Sequence, residues 1–353
     1  MGVEVLSRRA LNRAVLERQL LLRRSALSAA AALEHLVGLQ AQAPATAYVA
    51  LWSRLEGFRP EELSELIETR AAVRIALQRS TIHLVTARDC LAIRPAVQPV
   101  LDAFPKRLSG LDTDAIAAAG RELVEERPRT LAELGGLLAG SWDRSPAELA
   151  NAVRALVPLV QVPPRGLWRR SGRALHTSAE AWLGRPLAPG TAPDELVLRY
   201  LAAFGPATVR DVQAWSGLTR LREAVERLRP GLVTFRDEEG RELLDLPGAP
   251  RPGPGTSAPP RFLPEYDNVL LGHADRTRIL AEEHRRLVFT ENAIRATFLV
   301  DGFVRGTWAR DRATGELDLR PFEPLPTKDA AAVLREGERL LAFLTRPAKG
   351  AHI

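Results

Sequence analysis

The sequence has one cysteine and three lysines among its 353 residues. A lone Cys90 cannot form an internal disulfide, and it provides too few thiolates for a cysteine-rich zinc site. The histidines show no metal-ligand spacing and lie at His35, His83, His176, His273, His284 and His352. The sequence therefore predicts no structural metal and gives no indication of another cofactor.

Long apolar runs are also missing, since no segment approaches the ~20 residues that a helix needs to cross a membrane. The N-terminal segment carries Arg8, Arg9, Arg13 and Arg18 and lacks the apolar core of a signal peptide. We therefore expect a cytoplasmic protein without a membrane partner. A chain of this length is predicted to form two to four compact units.

Positive charge is in excess, with a net charge of +6. Cations that bind phosphate release counterions from nucleic acid, so this excess favours a polyanionic partner. Nearly all of the basic residues are arginines, a bias that genome composition can also produce. The charge therefore supports nucleic-acid binding only modestly.

Two segments share one order of predicted elements: a helix, a short helix, a longer helix and two strands. In the first segment Thr130 and Ser145 cap helices, and Ser145 forms a capping box with Glu148. The two strands follow at 156–162 and 166–175. The second segment begins at Gly205 and ends in strands at 232–235 and 242–246.

A helix-turn-helix followed by a β-hairpin is the winged-helix pattern, and its second occurrence is an internal repeat. The N-terminal part fits the same pattern, with helices near 8–22, 27–37, 45–56 and 60–69 and a wing at 73–77 and 81–85. The sequence thus predicts an α+β fold made of winged helix 1 (1–110), winged helix 2 (111–190), winged helix 3 (191–247), a Pro/Gly-rich linker (248–260), and a small β-barrel with a C-terminal helix (261–353).

A short polar turn, Gln40-Ala41-Gln42, interrupts the first helical region. Gly38 precedes it and Pro44 follows it, so one helix should end before the turn and another should begin after it. In an extended segment, residues i and i+2 point to the same side, so both amides can reach one ligand. An ordinary polar turn is the alternative that the tripeptide alone leaves open.

Five segments, in order, carry a family resemblance. They are His35-Leu-Val-Gly-Leu-Gln-Ala-Gln, Leu51-Trp-Ser-Arg-Leu, Arg79-Ser-Thr-Ile-His-Leu-Val-Thr-Ala, Leu263-Pro-Glu-Tyr-Asp-Asn-Val-Leu-Leu-Gly and Val300-Asp-Gly-Phe-Val-Arg-Gly-Thr-Trp. Together they span nearly the whole chain, which resembles the winged-helix DNA glycosylases of the AlkZ and YcaQ type.

The resemblance implies a C-shaped scaffold of three winged helices and a β-barrel. It also implies that the Gln-x-Gln signature of Gln40 and Gln42 marks the catalytic centre. Members with this version of the signature excise bulky N7-alkylguanines and unhook interstrand crosslinks. The implied partner is double-stranded DNA with alkylated or crosslinked guanine, and the implied state is a monomer.

Two amides suit a cationic substrate. An N7-alkylguanine leaves as a neutral purine, so it needs little protonation, and glutamines can hold a water below C1′. In this hypothesis Gln42 positions the water, and Gln40 orients the water or the sugar. A lyase would need an amine for a Schiff base, and only Lys106 is an internal candidate. The sequence therefore predicts a monofunctional enzyme.

Further residues are candidates with an open alternative. His83 is a possible general base, although a strand histidine satisfied by neighbouring backbone is the simpler interpretation. The predicted DNA contacts are Arg79, then Arg169, Arg170 and Arg173 on the second wing, and Arg310 and Arg312 at a hairpin tip. Solvated turn charges are the alternative for these arginines.

The rival functional hypothesis is a winged-helix transcriptional regulator without enzymatic activity. Regulators usually combine one such domain with a dimerisation or ligand module, whereas three units are predicted in this chain. A protein-interaction scaffold is a weaker rival, because the basic excess disfavours it.

Overall fold

The computed structural model describes residues 3–104, 110–190, 193–291, 293–311 and 313–347, and it has a mixed α+β fold. The helices of these residues are α1 (Arg8–Arg18), α2 (Ala29–His35), α3 (Thr46–Arg54), α4 (Pro60–Glu68), α5 (Ala87–Ala96), α6 (Gln98–Leu101), α7 (Thr113–Glu126), α8 (Leu131–Leu138), α9 (Pro146–Leu156), α10 (Ala179–Leu183), α11 (Pro193–Phe204), α12 (Val209–Ser216), α13 (Arg222–Leu228), α14 (Asn268–Leu271), α15 (Arg285–Val288) and α16 (Thr327–Leu344). None of the helices described is long and apolar enough to span a membrane.

The strands form three sheets. They are β1 (Val5–Leu6), β2 (Leu39–Gln40), β3 (Ala72–Ala76), β4 (Ile82–Thr86), β5 (Leu159–Gln161), β6 (His176–Ser178), β7 (Val233–Asp237), β8 (Glu242–Asp245), β9 (Arg261–Leu263), β10 (Thr297–Val300), β11 (Phe303–Arg310) and β12 (Leu317–Pro321). Their orders are β2-β4-β3-β5-β6, β1-β7-β8 and β12-β11-β10-β9. The predicted boundaries of the three winged helices stay a prediction.

The five-stranded sheet joins the first two predicted segments, because β3 pairs with β5. The first predicted wing is present as the antiparallel pair β3 and β4. The second wing was predicted wrongly in one strand: β5 pairs with His176–Ser178, and residues 166–175 form no strand. A Pro163-Pro164 pair starts this loop, and proline cannot donate the backbone hydrogen bonds of a ladder. The loop therefore runs outside the sheet until His176.

The third hairpin has the predicted form, with β7 and β8 antiparallel and a turn that places Gly240 at φ +79°. The N-terminal strand β1 adds to β7 in parallel. The start of the chain is therefore anchored on the third predicted segment.

The predicted C-terminal β-barrel is not confirmed. The described residues after 260 form an open four-stranded antiparallel sheet, in which β9 pairs with β10 and β12 pairs with β11. The face that a barrel would enclose is covered by α16, whose Leu340 and Phe343 are buried with Phe262 and Phe298 in one hydrophobic cluster. Because the helix fills this core, the sheet needs no closure to bury its apolar face.

Polar side chains of helix α1 bond to segments that are far away in the chain. Arg18 forms a bidentate ion pair with Asp245 on β8, with Nη1–Oδ1 and Nη2–Oδ2 distances of 2.7 and 2.8 Å. Both side chains are almost fully buried. On the same helix, Asn12 Nδ2 donates to the carbonyls of Arg278 and Gly302 at 2.8 Å. One helix thereby connects the third hairpin to the C-terminal part of the chain.

The linker at 248–260 contains no helix or strand, yet α1 also fixes its path. Arg9 donates to the carbonyl of Pro254, Arg13 to that of Thr256 and Arg18 to that of Pro250. A buried guanidinium needs acceptors for its five N–H donors, and irregular backbone supplies free carbonyls. The linker is thus part of the packed structure.

We expect Asp245→Asn to lower the free energy of unfolding by about 3–5 kcal/mol, because it leaves the buried Arg18 cation without its counter-charge. Urea unfolding followed by circular dichroism measures this change. Asp194→Asn is the matched control, since Asp194 pairs with the half-exposed Arg227, and it should lower the free energy of unfolding far less. Equal losses in the two variants would contradict the assigned role of the buried pair.

Candidate active site

The glutamine turn lies at the edge of the five-stranded sheet, in β2 and the residues that follow it. Helix α2 ends at His35, and Gly38 has a φ of +85°. A Cβ at Gly38 would lie 2.6 Å from Cγ1 of Val85, so only glycine fits this approach to β4. The next helix, α3, begins at Thr46. The prediction of a non-helical turn between two helices is confirmed.

The two amides differ in exposure. Gln40 is 7% exposed and pairs across the strands with His83 of β4, whereas Gln42 is exposed. Between them, the Ala41 amide donates to the carbonyl of Ile82 at 2.8 Å. Gln40 is therefore fixed within the sheet, and Gln42 lies where it is open to a large ligand.

Arg79 fixes the amide of Gln40. Its Nη2 donates to Gln40 Oε1 at 2.7 Å, and its Nη1 donates to the backbone carbonyl of Trp215. Burial, and then the nearby charge of Arg276, lowers the pKa of Arg79 to about 10, which leaves the guanidinium charged at neutral pH. Binding of DNA by Arg79 stays a prediction; within the protein, both of its terminal nitrogens are hydrogen-bonded, as is usual for a polar group with little access to water.

The backbone that presents Arg79 is strained. Arg79 and Ser80 have φ values of +54° and +57°, in the left-handed region that non-glycine residues rarely adopt. Helix α12 packs closely against this turn: a Cβ at Gly217 would lie 3.2 Å from Cα and N of Arg79. Such strain persists only where the surroundings impose it, and it is concentrated at functional sites.

Gln42 is also oriented, by the start of β4. Its Oε1 accepts a hydrogen bond from the Ile82 amide at 3.2 Å. On the buried side, Arg74 Nη2 donates to the Ala41 carbonyl at 2.6 Å, and burial lowers the pKa of Arg74 to about 10. Two arginines, the buried Arg74 and the partly buried Arg79, therefore hold the glutamine turn through its backbone and through one side chain.

His83 lies on β4 as a neutral residue. Burial, with a smaller contribution from the charge of Arg79, lowers its pKa to about 3. Its Nδ1 lies 3.0 Å from the Thr81 carbonyl, an acceptor, so Nδ1 carries the proton. This is the geometry that a strand histidine satisfied by neighbouring backbone would have, and it leaves a weakly basic Nε2.

The site can therefore orient a small polar molecule but has little acid–base strength. Each glutamine oxygen accepts one bond from the protein and keeps a second lone pair, and each amide keeps its NH2 donors. No group of three or more His, Cys, Asp or Glu side chains within the described ranges is arranged to hold a metal ion. Fixed amide dipoles are the chemistry that these residues offer.

Among the described residues, the other predicted DNA contacts make no hydrogen bond to Gln40 or Gln42, although Arg173 lines a cleft that includes Ile82, next to the turn. Arg169 and Arg310 meet at the end of α16, where both donate to the Leu344 carbonyl, at 2.6 and 3.4 Å. Arg173 pairs with Glu133 at 2.9 Å. Arg170 is exposed beside a cavity whose lining includes three glutamates. Arg312 lies outside the described residues. Their binding of DNA stays a prediction.

Two residues around the turn had no place in the sequence prediction. Arg74 occupies a buried position of the strand Ala72–Ala76, and Arg154 on α9 donates to Ser80. A single charged residue inside an apolar strand is the only signal of Arg74 in the sequence. Nothing in the sequence around Arg154 indicates that it lies next to Ser80.

Comparisons with known proteins show the family of the chain. The family model described as DNA glycosylase AlkZ-like matches residues 33–343. The solved structure of Streptomyces sahachiroi DNA glycosylase AlkZ is similar in fold, with a TM-score of 0.77 and 22% sequence identity over 98% of this chain and 99% of that chain. No curated protein sequence matches. Because this family model matches most of the chain, the chain belongs to the AlkZ-like family of DNA glycosylases.

Proposed function

We propose that the protein is a monofunctional glycosylase that hydrolyses the N-glycosidic bond of N7-alkylguanine in double-stranded DNA and leaves an abasic site. The substrates include bulky and crosslinked adducts. One observation supports this most directly: the exposed Gln42 and the arginine-fixed Gln40 form a neutral, oriented pair on an open turn.

The leaving group explains why amides suffice. Alkylation at N7 places a positive charge on guanine, so cleavage releases a neutral base and needs no strong general acid. What the enzyme supplies is a water in the correct place and dipoles directed at the oxocarbenium ion. Gln42 positions this water, and Gln40 orients the water or the sugar.

The hydrogen bonds that Gln40 and Gln42 accept from the protein are compatible with these roles. Oε1 of each glutamine is held by one protein donor, so its direction is fixed before substrate binds. The second lone pair can then accept a proton of the water, because a carbonyl oxygen accepts two hydrogen bonds. Prior orientation avoids the cost of reorganising the dipoles during the reaction.

The exposure of the turn suits bulky lesions. Most glycosylases rotate the target base into a pocket, but a crosslinked base cannot leave the duplex freely. An exposed Gln42 can approach the sugar of a base that stays stacked. In this model the enzyme brings its turn to the duplex.

The lysines are the groups that a lyase step would need. Of the three lysines, Lys328 lies in the first turn of α16, and Lys106 and Lys349 lie outside the described residues. We assign no Schiff-base step to them, so the product is an abasic site with an intact strand.

The enzyme acts as a cytoplasmic monomer, in DNA repair or in self-resistance to DNA-alkylating agents.

We expect Gln42→Ala to lower the single-turnover excision rate by about 100-fold, because it removes the group that positions water. The substrates are duplexes with N7-methylguanine or a nitrogen-mustard crosslink, cut with alkali at abasic sites after incubation. Gln213→Ala, which removes an amide from α12, is the control and should retain its rate.

DNA affinity should change little in Gln42→Ala. Loss of binding in parallel with loss of rate would mean that the turn is structural. Absence of excision by the folded wild-type protein on both substrates would refute the proposed reaction.

Arg79 should act through Gln40. We expect Arg79→Met and Gln40→Ala to reduce the excision rate by similar factors, about 10- to 100-fold, and the double variant to lose no more than the worse single one. Arg79→Lys should recover part of the rate, because an ammonium can donate to Oε1. Losses that multiply in the double variant would show that Arg79 has an independent role.

The pH dependence tests His83. Because its pKa is about 3, His83 stays neutral throughout the assay range and contributes no titration near 6.5. We expect the single-turnover rate on N7-methylguanine to lack a rising limb near pH 6.5, and His83→Asn to leave the shape of the profile unchanged. If the pH–rate profile has a rising limb near pH 6.5 and His83→Asn abolishes it, His83 is a general base.

A further inference from the structure

A cleft of about 470 Å³ lies beside the glutamine turn, between β4, α9 and the start of α8. Its lining includes Ile82, whose amide orients Gln42, and Arg154 of α9. Thr130 and Leu131, at the start of α8, form another wall. The proposed catalytic turn and the cleft are therefore adjacent.

Arg154 is the unusual residue of this cleft. Its side chain is partly buried, and burial lowers its pKa. Among the described residues it has no ion pair: its hydrogen bonds run from Nη2 to the Ser80 carbonyl at 3.4 Å and to Ser80 Oγ at 3.3 Å. Both are long, and the remaining N–H groups have no acceptor in the described chain.

A partly buried cation without a counter-charge costs free energy, which an anionic ligand recovers. The neighbours of Arg154 do not supply that anion. Arg173, which also lines the cleft, is already neutralised by Glu133. His176 is neutral, since burial lowers its pKa to about 4.

We propose that this cleft binds one backbone phosphate of DNA through the guanidinium of Arg154. A guanidinium offers paired N–H groups that match two phosphate oxygens. The site rests on the DNA binding of the proposed function but not on the identity of the lesion. It also has a geometric role: Arg154 bonds Ser80, and Ser80 follows Arg79, which holds Gln40. The phosphate is thereby placed in fixed register with the glutamine turn.

The test is the salt dependence of binding to an undamaged duplex, measured by fluorescence anisotropy. For B-DNA the slope of log K against log salt changes by about 0.9 for each phosphate neutralised. We expect Arg154→Gln to reduce the slope by about that amount and to weaken binding about tenfold, and Arg154→Lys to restore the slope. Arg121→Gln is the control, because Arg121 pairs with Glu125 and Glu180, and its slope should match the wild type.

A second measurement locates the phosphate. Neutral methylphosphonates replace the phosphodiester linkages of the duplex one at a time. At one linkage, the replacement should weaken binding of the wild-type protein as much as Arg154→Gln does. The same replacement should not weaken binding of the Arg154→Gln variant any further. An unchanged slope in Arg154→Gln, failure of Arg154→Lys to restore it, or equal sensitivity at every linkage would overturn the proposal. Because none of these readouts requires excision, they separate this site from the proposed reaction: excision can fail while the phosphate site stands, or the reverse.

Discussion

The bidentate pair between Arg18 and Asp245 is the constraint on which the rest of the structure depends. It fixes α1 against β8, and α1 then determines the path of the linker and the position of the C-terminal sheet. A buried pair of this kind adds little net stability compared with apolar packing, but it allows only one geometry. Segments that are far apart in the chain therefore meet at α1.

The candidate site extends the same principle to catalysis. The buried Arg74 and the partly buried Arg79 both bond to neutral acceptors, Arg74 to Ala41 and Arg79 to Gln40 and Trp215. A carboxylate at these positions would be drawn into an ion pair and would no longer be free to act on a substrate. Amides accept the arginine bond and still keep a lone pair. The neutrality of the glutamines is therefore compatible with an arginine-rich interior, and it suits the cationic substrate that we propose.

Local patterns in the sequence predicted what is local in the structure. The helices around the turn, the capping box of Ser145 and Glu148, and the hairpin after 232 follow from spacing and capping residues. Three features depend on contacts between distant segments, and local patterns missed them. The strand partner of β5 starts at His176 because a proline-containing loop intervenes. The predicted barrel is an open sheet because α16 covers it. Arg79 bonds inward because Trp215, more than a hundred residues away in the chain, offers a carbonyl.

The contact of Gly217 and Trp215 with the strained Arg79 turn has a consequence for synthesis of the protein. The glutamines are made early, but the backbone that holds their arginine partner in an unfavourable conformation is made much later. A nascent chain that has emerged only as far as the second wing carries both glutamines and Arg79 but lacks Trp215 and Gly217, which contact the Arg79 turn. The catalytic geometry that we propose is therefore completed only after these late residues are made, and a chain that terminates at the second wing lacks their contacts with the Arg79 turn.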